Sequence, residues 1–427
     1  MRKMKDSGIE WIGEIPCNWD VSKIKYLIKN PLQYGASESG IDYDEKLPRY
    51  IRITDITMDN ELKEDGKLSL DLATAKPYLL QDEDILFARS GASVGKTFFY
   101  RKEFGVSAFA GYLIRASFDK TIACPKFVFF NTLGLNYENW KNQSFSQATI
   151  QNIGADKYNE YVLPTPPFGE QKRIADFLDA KCADIDQIRA DIEKQIEILT
   201  DYKKSVITEA VTKGLDPKAK MKDSGIKWIG KIPEHWDVHP LYYYFGERKH
   251  KNVLGEEKNL LSISYGKIIR KNIDSKEGLL PENFDGYNII EKDDIVMRLT
   301  DLQNDKRSLR TGLVKEHGII TSAYVTLKAK RDLSAVYFHY LLHCYDLLKV
   351  LYNMGNGVRQ GLNFSELSRM MLIEPSIVEQ KAIAVFLDEK CSEIDATIAE
   401  KQKQLETLEE YKKSLIFEYV TGKKEVV

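Results

Sequence analysis

Gly91-Ala-Ser-Val-Gly-Lys-Thr97 gathers the residue types that cradle a phosphate: two glycines, then a lysine and a hydroxyl. A nucleotide loop needs four residues between its glycines so that successive N–H groups converge on the phosphates, and here there are three. The segment reads instead as a glycine turn presenting Arg89, Ser90, Ser93 and Lys96 to a polyanion, with a plain hairpin loop as the alternative. Thr165-Pro-Pro-Phe168 shares two prolines and an aromatic with the Asn/Asp-Pro-Pro-Tyr/Phe loop of adenine methyltransferases. It lacks the amide or carboxylate that would hold the target amino group, and no glycine-rich cofactor loop lies upstream. Prolines just ahead of a helix account for it. His339 and His343 stand four apart, as in a helical zinc pair, but Tyr340 replaces the glutamate of HExxH and no further ligands are evident. An amphipathic core helix explains them. Catalysis and resident metal are therefore not expected.

Base-edge reading is better represented. Arginine, glutamine and asparagine make the bidentate contacts that distinguish base pairs. Arg298, Gln303, Asn304, Lys306, Arg307 and Arg310 form one such stretch. Arg359, Gln360 and Asn363 form a second, and Gln147, Gln151 and Asn152 a third. Arg49 and Arg52 join Arg89, Lys96, Arg101 and Lys102 in a basic set nearer the N-terminus. Solvated loops are the competing explanation for each.

The elements that position these residues occur twice. Met4–Val21 and Met221–Val238 differ at only four of eighteen positions, at an offset of 217. Glu170–Gly214 recurs from Glu379 at an offset of 209. Leu178, Ile185, Ile192, Leu199 and Val206 fall at seven-residue spacing, with Ile188 and Tyr202 expected at the companion seam position. The second copy repeats this with Leu387, Ile394, Leu408 and Leu415, interrupted by Lys401. Between the repeats lie divergent regions rich in short β runs such as 50–54, 84–88 and 258–264. Helices are expected near their ends, over Lys126–Leu133 and Ala335–Tyr352.

The predicted fold is α+β: two globules joined by two long antiparallel coiled-coil helices in an internal pseudo-two-fold repeat. Expected boundaries are 1–169, 170–214, 215–378 and 379–427. Net charge is −2, which excludes a generally basic nucleic-acid coat but permits a local basic face. Residues 215–378 carry 25 basic against 21 acidic side chains, whereas 379–427 carry 8 against 11. Five cysteines without close spacing point to reduced thiols and a cytoplasmic location, and no run is apolar enough to span a bilayer. A tandem particle of this kind suits duplex DNA, whose backbone is two-fold symmetric: the differing globules would read two different half-sites held at a spacing set by the rods.

Four motifs carry a family resemblance. They are W-I-G-x-I-P-x-x-W (Trp11–Trp19 and Trp228–Trp236), Phe87–Lys96, Ala148–Ile153, and the helix opening Pro166–Asp179 that recurs at Pro375–Asp388. Over nearly the whole chain the sequence resembles the specificity subunits of type I restriction–modification enzymes. The resemblance implies two target-recognition domains for a bipartite DNA site and a chain without catalysis of its own. It also implies two modification subunits as partners, with restriction subunits joining them. S-adenosylmethionine, ATP and Mg would reside on those partners. The matched polar residues Glu170, Gln171, Lys172, Tyr202, Lys203 and Lys204, with Glu379, Gln380, Lys381, Tyr411, Lys412 and Lys413, are the expected docking set. Competing readings are a DNA enzyme with intrinsic methyltransferase or nuclease activity, and a scaffold that binds no DNA.

Overall fold

The structure, a computed structural model, describes residues 2–57, 59–145, 152–274, 281, 283–302, 309–354 and 361–426. It divides into two compact units, Met1–Ile192 with Lys403–Val427, and Glu193–Gln402. Each unit holds one globule and half of each long helix.

In the first unit a four-stranded antiparallel sheet has the order Gln33–Tyr34, Leu113–Ala116, Ile85–Ala88, Thr97–Phe99. Its apolar runs are continuous because both faces are covered. Ile85 and Phe87 face a core with Val128, Phe129, Trp140, Tyr158 and Tyr161. Leu86 and Ala88, one residue out of phase, face a second core with Ile51, Phe98 and Phe109. A second sheet runs Ser107–Phe109, Arg49–Ile51, Leu68–Ser69, Ile41–Asp42, its first pair parallel.

The second unit repeats the first sheet in unrelated sequence: Phe245–Glu247, Val325–Ala329, Ile295–Met297, Thr311–Leu313. Ile85 pairs with Ala116 and Phe99, and Ile295 pairs with Leu327 and Leu313, so Ile85 and Ile295 occupy equivalent places. Each of these strands follows a buried aspartate. Asp84 accepts the N–H of Gln81 at 2.8 Å, and Asp294 that of Glu291 at 2.9 Å. Burial pushes both carboxyls up in pKa.

The long helices are Phe168–Lys213 and Ile377–Val420. Within each unit their segments run antiparallel. In the first, the tilted rings of Phe177 and Tyr419 pack at 4.5 Å and Asp186 meets Lys412 at 2.6 and 2.8 Å. In the second, Lys203 meets Asp395 at 2.6 and 2.7 Å, and Lys401 bonds Gln195. The two ion pairs are the same pair, 209 residues apart.

The seam differs from expectation. Ile188 and Tyr202 are both about half exposed, while Cys182, Arg189, Ile196, Lys203 and Ala210 face inward beside the predicted Ile185, Ile192, Leu199 and Val206. The companion position lies four residues after the predicted one, not three. Charged residues hid it: the stems of Arg189 and Lys203 lie in the seam while their heads reach Asp59 and Asp395. Lys401 is a seam residue of the same kind. The expected shorter helices also end early. They span Pro125–Asn131 and Ala335–Leu347, the latter followed by left-handed Lys349 and a 3-10 turn at Val350–Asn353.

The short repeats clamp the helix ends. Met4–Asp6 pairs with Glu14–Pro16, and Met221–Asp223 with Lys231–Pro233. Each leads to a fully buried tryptophan, Trp19 or Trp236. Each indole buries about 200 Å², worth about 5 kcal/mol gross at 25 cal/mol/Å². Trp19 donates to Glu170 at 3.1 Å and Trp236 to Glu379 at 3.2 Å, fixing a helix start. Gly422 abuts Trp19 and Gly214 abuts Trp236, so each tryptophan also receives the end of the other helix. Among the described residues, no helix is long and apolar enough to cross a membrane.

Candidate nucleic-acid interface

The strand Ile85–Ala88 delivers Arg89 to the rim of the first globule. The Arg89 N–H donates to the carbonyl of Tyr112 at 3.0 Å, and its carbonyl accepts the N–H of Ile153 at 2.9 Å. Ser90 bridges Asn152. The fold therefore brings together three predicted residues, Arg89, Ser90 and Asn152, from segments 62 residues apart in sequence. Two exposed tyrosines unmarked in the sequence reading, Tyr34 and Tyr112, join them. The Arg89 guanidinium lies 4.9 Å from the Tyr34 ring centroid. The signal that could have found Tyr34 is Gln33-Tyr-Gly35, an aromatic beside a glycine in a strand.

The glycine turn closes on itself. Gly91 and Gly95 have φ of +75° and +81°, and Ala88 N–H donates to the Lys96 carbonyl at 2.8 Å. Ser93 is half-buried in this turn, its carbonyl accepting the Lys96 N–H at 2.9 Å. Lys96 turns inward, its Nζ donating to the Ile56 carbonyl at 3.0 Å, and burial lowers its pKa. Arg49 is buried against Glu64 at 3.2 Å and the Lys63 carbonyl. Arg52 forks onto Asp55 at 2.7 and 3.0 Å and reaches the Gly66 carbonyl. The basic set is thus not one open patch.

In the second globule the equivalent rim is built differently. Leu362 N–H donates to the Leu299 carbonyl at 2.9 Å, just as Ile153 does to Arg89, so buried Leu299 stands in the place of Arg89. Arg298 N–H donates to the Arg310 carbonyl as Ala88 does to Lys96, so Arg310 stands in the place of Lys96. Arg298 is half-buried. Arg310 is wholly buried, its guanidinium on the carbonyls of Thr300 (2.8 Å), Asp301 (3.1 Å) and Arg298 (3.2 Å). Asn363 caps the helix Phe364–Leu367, accepting the Glu366 N–H at 3.1 Å. Gln147, Gln151, Gln303, Asn304, Lys306, Arg307, Arg359 and Gln360 lie outside the described residues.

Eleven of the twelve predicted docking residues fall into three groups, and Lys413 stands apart. Glu170, Gln171, Glu379 and Gln380 are latches inside their units. Gln171 accepts the Cys124 N–H at 2.8 Å and donates to the Ile122 and Pro166 carbonyls, while Gln380 accepts the Ser334 N–H at 2.9 Å and donates to Pro375. Lys203 and Lys412 form the ion pairs between helices. Lys172, Tyr202, Lys204, Lys381 and Tyr411 are exposed, as a solvent-facing surface requires. Lys204 pairs with Asp201 at 2.8 Å, and half-buried Lys413 with Glu138 at 3.2 Å.

Comparison with known proteins bears on this arrangement. The model of the type I restriction modification DNA specificity domain matches residues 18–198. The type I restriction enzyme MjaVIII specificity subunit of Methanocaldococcus jannaschii is 26% identical over 429 residues, covering 96% of this chain and 93% of its own. The EcoKI specificity subunit of Escherichia coli is 28% identical over 268 residues, 58% of this chain and 51% of its own. A solved chain from a study of assembly and conformational transition in a type I R-M system has a TM-score of 0.70 at 13% identity, covering 96% of this chain and 99% of its own. The HsdS subunit from Thermoanaerobacter tengcongensis gives 0.51 at 12% identity, covering 96% and 98%. These last two share the fold.

Proposed function

We propose that this chain is a member of the type I restriction–modification DNA-specificity family and directs such a complex to its DNA target, a reading supported by the family-model match and the similar specificity subunits. It is a non-catalytic subunit. Residues 1–169 and 215–378 each read one half of a bipartite, asymmetric site. Residues 170–214 and 379–427 set the spacing between halves and dock modification subunits. The observation that carries this reading is repetition of the scaffold under divergence of the rim. Strand order, buried aspartate and glutamine latch recur in both globules, while Arg89 and Leu299 differ at one place. A scaffold that merely held partners would have no reason to vary its rims.

Repetition of the exposed residues Lys172 and Tyr202 as Lys381 and Tyr411 supports two modification subunits. Restriction subunits would join the same assembly. S-adenosylmethionine, ATP and Mg would be held by these partners, and the complex would act in the cytoplasm, where its DNA lies. The test is to co-express the chain with its modification partner and map methylated adenines by single-molecule sequencing. One bipartite motif is expected. Exchange of residues 22–164 for those of a related subunit should change one half of that motif alone. A change in both halves, or in neither, would refute the two-reader model.

A further inference from the structure

We propose that Arg89 reads a guanine in the half-site of the first globule, and that Tyr34 is the positioning residue that aims it. The inference rests on the DNA-reading function above.

The first globule holds five arginines between residues 22 and 165. Four have internal acceptors for their terminal nitrogens. Arg49 has Glu64 and the Lys63 carbonyl, and Arg52 has Asp55. Arg101 has Glu61, and Arg115 has the Leu79 carbonyl and Gln33. Arg89 is the exception. It is half-buried and its Nε, like that of Arg49, is enclosed without a hydrogen-bond partner, but unlike the other four it has no acceptor from a described residue at its terminal nitrogens either. An enclosed N–H without an acceptor is costly to a folded chain. A ligand that brings the acceptors removes that cost.

The same guanidinium is held in place. Its plane is supported by the Tyr34 ring at 4.9 Å. Tyr34 is itself fixed at both ends: its hydroxyl accepts the Ala155 N–H at 3.0 Å, and its strand pairs with Ile114. The next residue, Gly35, runs so close to the carbonyls of Phe109 and Ala110 that a Cβ would meet them at 2.4 Å, which pins the strand bearing Tyr34. The backbone of Arg89 is bonded on both sides. A phosphate contact needs only a mobile cation. A planar fork with its orientation fixed is suited to a base edge. Arginine carries donors only, and the edge offering two adjacent acceptors in the major groove is guanine, through O6 and N7. Exposed Tyr112 and Asn152 are the backbone neighbours of Arg89 and Ser90.

The experiment compares the wild-type complex with Arg89→Lys, Tyr34→Leu and Tyr34→Phe complexes, each built with the partner chains. Methylated motifs are mapped in cells, and methylation rates are measured on duplexes carrying each base at each position. Arg89→Lys keeps the charge but loses the fork. It should reduce discrimination at one guanine by about 10–100-fold and leave the other half-site intact. Tyr34→Leu should relax the same position. Tyr34→Phe retains the ring beneath the guanidinium and should restore most of the discrimination lost in Tyr34→Leu.

Uniform weakening of all sequences, with an unchanged motif and a salt slope lower by about one, would make Arg89 a phosphate contact and overturn the proposal. So would an unchanged motif in Tyr34→Leu, or relaxation in the other half-site. If Arg89→Lys lowers the thermal stability of the complex, the Tyr34→Phe and Tyr34→Leu pair decides. A wild-type complex that yields no bipartite motif would fail the underlying DNA-reading function instead, which separates the two outcomes.

Discussion

At equivalent places on two equivalent strands, the first globule has Arg89 and Lys96 where the second has Leu299 and Arg310. The sheets beneath are the same, so the difference is not one of fold. In the first globule the cation at the strand end is half-buried and lacks an internal acceptor. In the second the cation sits across the turn and is wholly buried on three backbone carbonyls. One is arranged for an outside acceptor; the other braces its own loop. A basic residue in a variable loop therefore says little by itself about DNA contact.

The largest expected effect follows from that contrast. Arg310→Met removes a buried guanidinium and leaves the carbonyls of Arg298, Thr300 and Asp301 without their donor. It should cost about 3–5 kcal/mol by chemical denaturation. Arg89→Met removes no internal hydrogen bond and relieves an enclosed Nε–H, so it should leave stability unchanged or raise it by about 1 kcal/mol. Equal losses in the two variants would break the comparison, because both arginines would then be structural.

Next in size are the glutamine latches, which test sameness instead of difference. Gln171→Leu strands the Cys124 N–H, and Gln380→Leu strands the Ser334 N–H, both buried. Each should cost about 2–3 kcal/mol. Losses that differ severalfold would show that the two helix joints are not equivalent despite the two contacts they share.

These latches also show where the sequence was legible. The repeats, the two long helices and the α+β globules were readable because duplication and seven-residue spacing are local patterns. The strands came through as apolar runs with both faces covered. Matched polar residues were a weaker guide: Glu170 and Gln171 recur because they fasten a helix to its own globule, and this leaves the same trace as a shared partner. The seam position held by Arg189 and Lys203 was invisible because hydrophobic periodicity does not register a buried aliphatic stem. At the rim, Arg89 could be picked out but its contact with Tyr34 could not, because it joins residues 55 positions apart. The inward turn of Lys96 depends on the Ile56 carbonyl, which no spacing in the chain reveals.

A smaller effect separates the two helix ends. Gly214 and Gly422 both close their helices at positive φ, +75° and +72°. A Cβ at Gly422 would meet Pro16 Cδ at 2.4 Å and Trp19 at 2.9 Å, whereas at Gly214 the nearest atom is on Trp236 at 3.1 Å. Gly214→Ala should cost about 1–2 kcal/mol, chiefly the conformational penalty. Gly422→Ala should cost about 2–3 kcal/mol because backbone strain and overpacking act together. Thermal unfolding of the two variants ranks them, and the reverse order would mean that Pro16 yields more readily than Trp236.

The smallest expected effect is in pH dependence, and it belongs to one unit. All six histidines lie between His235 and His343, inside the unit Glu193–Gln402, and the other unit has none. His317 stands between Glu291 at 3.0 Å and Glu257 at 2.8 Å, one carboxylate on each ring nitrogen. Only the imidazolium donates from both nitrogens, and the hydrogen bond to Glu291, with the charges of both glutamates, raises its pKa above the ordinary 6.5. A raised folded pKa gives stability that is fully present below the unfolded value and lost as pH rises through the folded value. His339 and His343 behave oppositely. Burial lowers them to about 4 and about 3, so they fold neutral, and stability falls as pH drops below the unfolded value of 6.5. The second unit should therefore be most stable near neutrality, weakening on both sides, while the first stays flat from about pH 6 to about pH 8. Because His317 is nearly half exposed, water screens its ion pairs and the upper limb should be shallow. Hydrogen exchange on the intact chain, corrected for intrinsic rates, can compare Ile85–Ala88 with Gly318–Ile320 at about pH 5.5, 6.5 and 8. His317→Gln should flatten the alkaline limb alone. A matching limb in the first unit, or an alkaline limb that survives His317→Gln, would show that the dependence arises elsewhere.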